Sequence, residues 1–357
     1  MKTAQVNKEL DFTGESIYAG IDVHKKQWSV TIMSAFKEHK TFVQPPEPKV
    51  LGNYLRNNFP NATYYSVYEA GFSGFWIHEA LKKEGIKNIV VNAADVPTTD
   101  KEKKQKRDQV DSRKLCKGLR ENNLTGIYVP TQEHLEDRNA VRQRKKLVGD
   151  IVRCKNRIKG LINYYGIKVP VEYDLSYWPK ASIAWLGQVK LTQSSGTLTL
   201  QLWLEELQSV QKIKKQLDRH LIQMARQKYA AQVTLIRSIP GIGLVGALTI
   251  LTELGDMKRF KRFDDLCSYV GLVPTVYSSG ETEHVGHLTK RKPLHLQPIL
   301  IQCAWKAVGK DPVLLMAYQQ WCKAMKANKA IVRVARKLLS RIRYVMMNER
   351  KYELKTI

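Results

Sequence analysis

Acid is scarce in this chain. Asp and Glu number 33 against 59 Lys and Arg in 357 residues, a formal net charge of +26. The basic excess runs along the whole length, and such a field favours a polyanion as partner. No segment approaches the ~20 uninterrupted apolar residues that crossing a bilayer requires, so no membrane partner is expected and nucleic acid is. The N-terminal stretch MKTAQVNKELDFTGES has no apolar signal core, which points by default to a cytoplasmic protein. Cysteine is also sparse. Cys116, Cys154, Cys267, Cys303 and Cys322 are odd in number, widely spaced and without a CxxC pair, which argues against a disulfide framework and a zinc site and leaves most of them as small buried hydrophobes. GxSxG is absent, which removes the hydrolase reading. There is no internal repeat and no low-complexity tract.

What is present is 43% hydrophobic residues, enough for two or three domains each with its own core. From Tyr18 to about Pro130, strand-like and helix-like runs alternate. YAGIDVHKKQWSVTIM reads as one strand turning into a second, KTFVQ as a third, PKVLGNYLRNNF as a helix and ATYYSVYEA as a strand. SGFWIHEALKKEG then reads as a helix, and NIVVNAADV and GIYVP as strands. The alternation predicts an α/β domain with a largely parallel sheet covered on both faces and led by an antiparallel meander. Two long helices follow, over about Gln132–Tyr165 and Leu198–Tyr229, with apolar residues at helical or heptad-like spacing among many Arg and Lys. They suit an antiparallel pair within one chain as well as a pair between two subunits. LIRSIPGIGLVGALTILTELGD then resembles a helix-hairpin-helix element in which Gly241 and Gly243 let backbone N–H groups approach a phosphate. Beyond it the chain reads as helix, basic loop and helix. The expected layout is thus an α/β domain over 1–130, a basic helical, coiled-coil linker over 131–231 and an α-helical domain over 232–357.

Asp22 sits on the apolar strand YAGIDV, followed by His24, Lys25 and Lys26. A single acid there reads as a strand cap, but phosphodiester chemistry with two Mg²⁺ ions ~4 Å apart needs several carboxylates. Glu69 ends a later strand just before Gly71, and Asp108 and Asp111 lie three residues apart at the start of a helix, projecting from one face. Taken singly, these three read as a turn residue, an N-cap and a dipole partner. Together, in the order strand, later strand, helix, they form the arrangement from which a ribonuclease-H or RuvC-like fold builds a two-metal site. Lys103, Lys104, Lys106 and Arg107 precede Asp108, and Lys25 and Lys26 follow Asp22, as candidate nucleic-acid contacts; a solvated face is the plainer reading of such charge runs.

The blocks GIDVHKK, YEAGFSGFWIHEAL, KRDQVDSRKL, SIPGIGLVGALTILTELGD and YVGLVPTVYSSGETEHVGHLTK, in this order from about Tyr18 to Trp305, resemble the transposases of insertion sequence family one hundred and ten, the DEDD-type, bridge-RNA-guided serine recombinases. The resemblance implies that Asp22, Glu69, Asp108 and Asp111 bind Mg²⁺. It implies that Ser279, the serine preceding the glycine, attacks a DNA phosphodiester and forms a covalent phosphoserine intermediate, and that the two domains, contributed by different subunits, make one composite site. Ser278 is the neighbouring alternative. Implied partners are donor and target DNA, a structured non-coding guide RNA and further copies of the chain, as dimer or tetramer. Thr289, Lys290 and Arg291 match the family's basic block, and Lys290 and Arg291 are expected to touch nucleic acid. Lys292, Pro293 and Gln297 depart from the Gly-Asn pair and Arg that usually follow. His284, His287 and His295 are read as phosphate or structural contacts. Two other functions fit the residues: a RuvC-type two-metal junction nuclease using water, and a non-catalytic nucleic-acid-binding protein.

Overall fold

The structure is a computed structural model that describes residues 11–97, 108–173, 175–279, 282–289 and 292–354, with the backbone alone at 275–279, 282–285 and 287. Lys103, Lys104, Lys106, Arg107, Lys290 and Arg291 lie outside the described residues. The chain packs as two compact units, 1–132 and 133–357.

The first unit is a five-stranded sheet in the order β3-β2-β1-β4-β5, built from β1 (Ser16–Val23), β2 (Trp28–Met33), β3 (Glu38–Gln44), β4 (Thr63–Glu69) and β5 (Lys87–Val91). The expected meander is there: β1 pairs antiparallel with β2, and β2 with β3. β1 pairs parallel with β4, and β4 with β5, so the sheet is mixed rather than largely parallel. GIYVP is not a strand. It runs beside β5 with Ile127 N–H donating to Val90 O at 2.7 Å, without a continuing ladder.

Alternation sends the two sets of strand side chains to opposite faces. Ile17, Ala19, Ile21, Trp28, Val30 and Ile32 are buried with Leu51 and Leu55 of α1 (Pro48–Asn58) and Ile77 and Leu81 of α2 (Trp76–Lys83). The opposite face takes α3 (Asp108–Arg120), whose Leu115 packs with Val67 and Val91. Gly20 is what lets α3 lie so close. A Cβ there would fall 2.1 Å from Ser112 O and 2.3 Å from Cys116 N.

In the second unit α4 (Gln132–Tyr164) and α6 (Ser194–Gln227) form an antiparallel hairpin within the chain, the intramolecular one of the two expected pairings. The register is fixed by Tyr229 to Asp137, Arg144 to Asp218 and Arg157 to Glu206, at 2.7 Å each. Cys154, Ile158 and Leu161 meet Leu200, Leu204 and Leu207 toward the tip, where α5 (Lys180–Gln188) adds Leu186. The rest is a helical bundle of α7 (Ala230–Arg237), α8 (Leu244–Leu254), α9 (Phe263–Val270), α10 (Leu296–Val308), α11 (Pro312–Ala324) and α12 (Ala327–Met347). α8 is buried from Gly246 to Leu254, mostly apolar with Glu253 as its one charged side chain, as suits the central helix of a bundle. Between α9 and α10, where a basic loop was expected, β6 (Pro274–Ser279) and β7 (Thr282–Leu288) form an antiparallel hairpin.

All five cysteines are free thiols, four of them buried and Cys322 exposed. Among the described residues no helix is long and apolar enough to cross a membrane.

Candidate metal centre

Asp22 shares its face of β1 with Gly20, the face on which α3 lies. Three residues bring a first turn of α3 over it. Gly20 permits the contact, Cys116 Sγ donates to Tyr18 O at 3.2 Å, and the Ser112 hydroxyl is buried against the Ser29 and Thr31 hydroxyls at 3.2 and 2.9 Å. With the helix so fixed, Asp108 and Asp111 project beside the end of β1.

The result is a compact group of ligating atoms from Asp22, His24 and Asp108, all within 4.8 Å of one another. His24 Nε2 donates to Asp22 Oδ2 at 3.1 Å and lies 3.4 Å from Asp108 Oδ2. Burial, first, and then the Asp108 and Asp111 carboxylates push the Asp22 carboxyl above its ordinary value, while His24 pulls it down. Crowded acids on a half-buried strand end are the electrostatic signature of a cation site. The donor set fits a divalent cation: Asp22 is half-buried, Asp108 is exposed, and both offer hard oxygen ligands.

Glu69 ends β4, two residues after Val67, which packs against α3, so alternation puts it on the same sheet face as Asp22. It follows Tyr68, whose register partner is Ile21, the residue before Asp22. The close group does not include Glu69 or Asp111; Asp111 acts on Asp22 through its charge. It does include His24, which the sequence reading left outside the acidic quartet. β1 ends at Val23, so His24 is the first residue beyond the strand and reaches back to Asp22 from the turn. Lys25 and Lys26 are exposed in the turn closed by His24 N–H to Gln27 O at 3.2 Å.

In the second unit, Ser278 and Ser279 end β6, in register with Glu283 and Thr282. The departing positions before α10 are tied into the fold. Lys292 donates to Gln297 Oε1, and Gln297 Nε2 donates to Gly271 O at 2.7 Å. His295 faces Lys145 at 3.2 Å, and burial, first, with Lys145, Arg142 and Lys146 pushes its imidazole below the ordinary value against the opposing pull of Glu253. The two hairpin glycines differ. Gly241, at φ +90°, is in left-handed backbone, and a Cβ there would meet Ala307 N at 2.5 Å, so packing alone requires glycine. Gly243 is the N-cap of α8, and a Cβ there would meet nothing within 4 Å.

Comparison with known proteins finds two family models on the chain. A model described as Transposase, for DEDD transposases of IS110 type, matches residues 19–167. A second, described as Transposase IS116/IS110/IS902 family, matches residues 233–319. The chain is similar to y4rJ of Sinorhizobium fredii, whose name describes it as a transposase, at 29% identity over 76% of this chain and 74% of that protein. It is 28% identical to y4qE of the same organism over 68% of this chain, and there spans only 58% of the relative's length. It is 22% identical to the transposase for insertion sequence element IS1533 of Leptospira borgpetersenii, over 81% of this chain and 85% of that protein. The first model covers the carboxylates and runs on through α4, the second covers the bundle segment that contains the Ser-Ser-Gly sequence, and the protein belongs to the IS110 family of insertion-sequence transposases.

Proposed function

We propose that this protein cuts and rejoins DNA to move an insertion sequence, using Mg²⁺ held by Asp22 and Asp108 with Glu69 and Asp111, and Ser279 as nucleophile. The single observation that carries the reading is the close group at Asp22, on a sheet end of a chain that belongs to a DEDD transposase family. The order of the acids, strand, later strand, helix, is that of a RuvC-like two-metal enzyme.

When bound, Mg²⁺ polarises the scissile phosphate and neutralises charge that develops on its oxygens. The protein's own groups do the rest. Asp22, half-buried and raised first by burial and then by Asp108 and Asp111, fixes where the cation and hence the phosphate sit. The Ser279 Oγ attacks phosphorus, forming the phosphoserine bond while the bond to the leaving deoxyribose oxygen breaks, and the serine proton passes through solvent to that leaving oxygen. That step conserves the phosphodiester energy for rejoining, so no nucleotide is consumed. Lys25 and Lys26 beside Asp22, Lys104, Lys106, Arg107, Lys290 and Arg291, and the Gly243 end of α8 contact the nucleic-acid backbone; Gly241 allows the turn that presents it.

By the same reading the chain works as a homo-oligomer, dimer or tetramer, on donor and target DNA paired to a structured guide RNA. It recognises duplex shape through charge. Its three working parts are the RuvC-like domain at 1–130, the helical linker at 131–231 that mediates assembly, and the transposase domain at 232–357 with its helix-hairpin-helix-like element. Purification of the full chain followed by sequencing of bound RNA tests the guide. A discrete, structured RNA is expected, and its absence contradicts the guided reading. Asp22→Asn tests the carboxylates, with loss of DNA cutting expected and retained cutting contradicting the assignment.

A further inference from the structure

We propose that His24 is a nitrogen ligand of the same divalent cation as Asp22 and Asp108, raising this site's affinity for first-row transition ions relative to Mg²⁺. The inference rests on reading the carboxylates as a cation site and adds to it a residue outside the acidic quartet.

Spacing is the first support. Adjacent ligands around an octahedral ion at ~2.1 Å stand about 3.0 Å apart. His24 Nε2 stands 3.1 Å from Asp22 Oδ2 and 3.4 Å from Asp108 Oδ2, so one nitrogen and two oxygens are already disposed as neighbouring ligands of a single ion. Placement is the second. His24 is the first residue beyond β1, two positions after Asp22, and its backbone N–H is committed to Gln27 O in the turn while its ring meets both Asp22 and Asp108. Access is the third: 46% of the His24 side chain is exposed, so the ring stands at the mouth of the group and not beneath it.

The chemistry follows from the donor. Ligation needs the lone pair of Nε2, so the ring proton resides on Nδ1 and the hydrogen bond to Asp22 gives way to a shared cation. Mg²⁺ favours oxygen ligands and keeps its waters. Imidazole is the better donor to transition ions, whose affinities rise along the divalent series from Mn²⁺. A site of two carboxylates and one imidazole therefore discriminates differently from one made of carboxylates alone.

The test uses the full-length protein and Mn²⁺ as probe, with binding followed by electron paramagnetic resonance and by competition with Mg²⁺. The expected result is nitrogen hyperfine coupling to bound Mn²⁺ in the wild type, absent in His24→Ala. That variant should weaken Mn²⁺ binding by about tenfold or more, leave Mg²⁺ binding much less affected, and keep an unchanged circular dichroism spectrum. His24→Asp should retain Mg²⁺ binding and lose the coupling. If Asp22→Asn abolishes Mn²⁺ binding while His24→Ala leaves affinity unchanged, or if the nitrogen coupling is absent from the wild type or survives in His24→Ala, His24 is not a ligand and the carboxylate site stands without it. If Asp22→Asn leaves Mn²⁺ binding intact, or the wild type binds none, the underlying cation site fails and this proposal with it.

Discussion

Gly20 lies directly beneath Ser112: a Cβ on Gly20 would come within 2.1 Å of the Ser112 carbonyl oxygen. Helix α3 therefore rests on bare backbone of β1, one alternation before Asp22, and the Ser112 hydroxyl completes the contact with Ser29 and Thr31. The carboxylate group depends on this approach, because Asp22 and Asp108 come from the two elements it presses together.

Gly20→Ala is accordingly expected to push α3 away from the sheet. Because the obstacle is helix backbone and not a flexible side chain, the cost should reach the upper part of the ~1–3 kcal/mol range for overpacking, or exceed it. Denaturant unfolding measures the loss, and divalent-cation binding should weaken in parallel. A Gly20→Ala protein as stable as wild type contradicts the account of the contact.

Arg142 and Glu253 make a second test, independent of the site. Arg142 Nε and Nη2 donate to Glu253 Oε1 and Oε2, at 2.6 and 2.7 Å, and the Glu253 side chain is only 2% exposed. Arg142→Met leaves that carboxylate buried without its cation, at a cost of about 3–5 kcal/mol. The double variant Arg142→Met, Glu253→Leu should recover much of it. Chemical denaturation of the two variants decides, and additive losses contradict the pairing.

Asp218 links the α4–α6 hairpin to pH. Burial tends to raise its pKa, but the bonds from Lys214 and Arg144 outweigh burial and hold it below the ordinary 3.8. A carboxyl whose folded value is depressed contributes stability above its unfolded value and loses it as pH falls through the folded one. Wild type should therefore lose stability below about pH 4 more steeply than Asp218→Asn, which should be less stable near neutrality. Parallel pH–stability curves for the two proteins contradict this.

Much of this was legible in the sequence because it depends on local periodicity. The alternation in YAGIDV and WSVTIM marks both strands, and the spacing of Leu147, Ile151, Ile158 and Leu161 marks the long helix. The acids at Asp22 and Asp108 were legible by type and order. What escaped depends on tertiary contact. The GIYVP segment has the composition of a strand but finds only a single rung on β5. The β6–β7 hairpin was concealed by the polar composition of YSSGETEHVGHL, which offers no alternating apolar pattern to read in the sequence. His24 escaped because its neighbours Lys25 and Lys26 make the segment read as a charged turn, and only the arrival of α3 gives the imidazole two carboxylates.

The central claim is that a serine of the Ser-Ser-Gly hairpin attacks DNA at carboxylate-held metal. The most direct measurement incubates the full-length protein, with any RNA that co-purifies, with end-labelled element DNA and Mg²⁺, then denatures it and looks for label covalently attached to protein. The account predicts an adduct with the wild type and with Ser278→Ala, and none with Ser279→Ala or Asp22→Asn. DNA cutting that persists in Ser279→Ala, with no adduct formed by the wild type, would show that water is the nucleophile and contradict it.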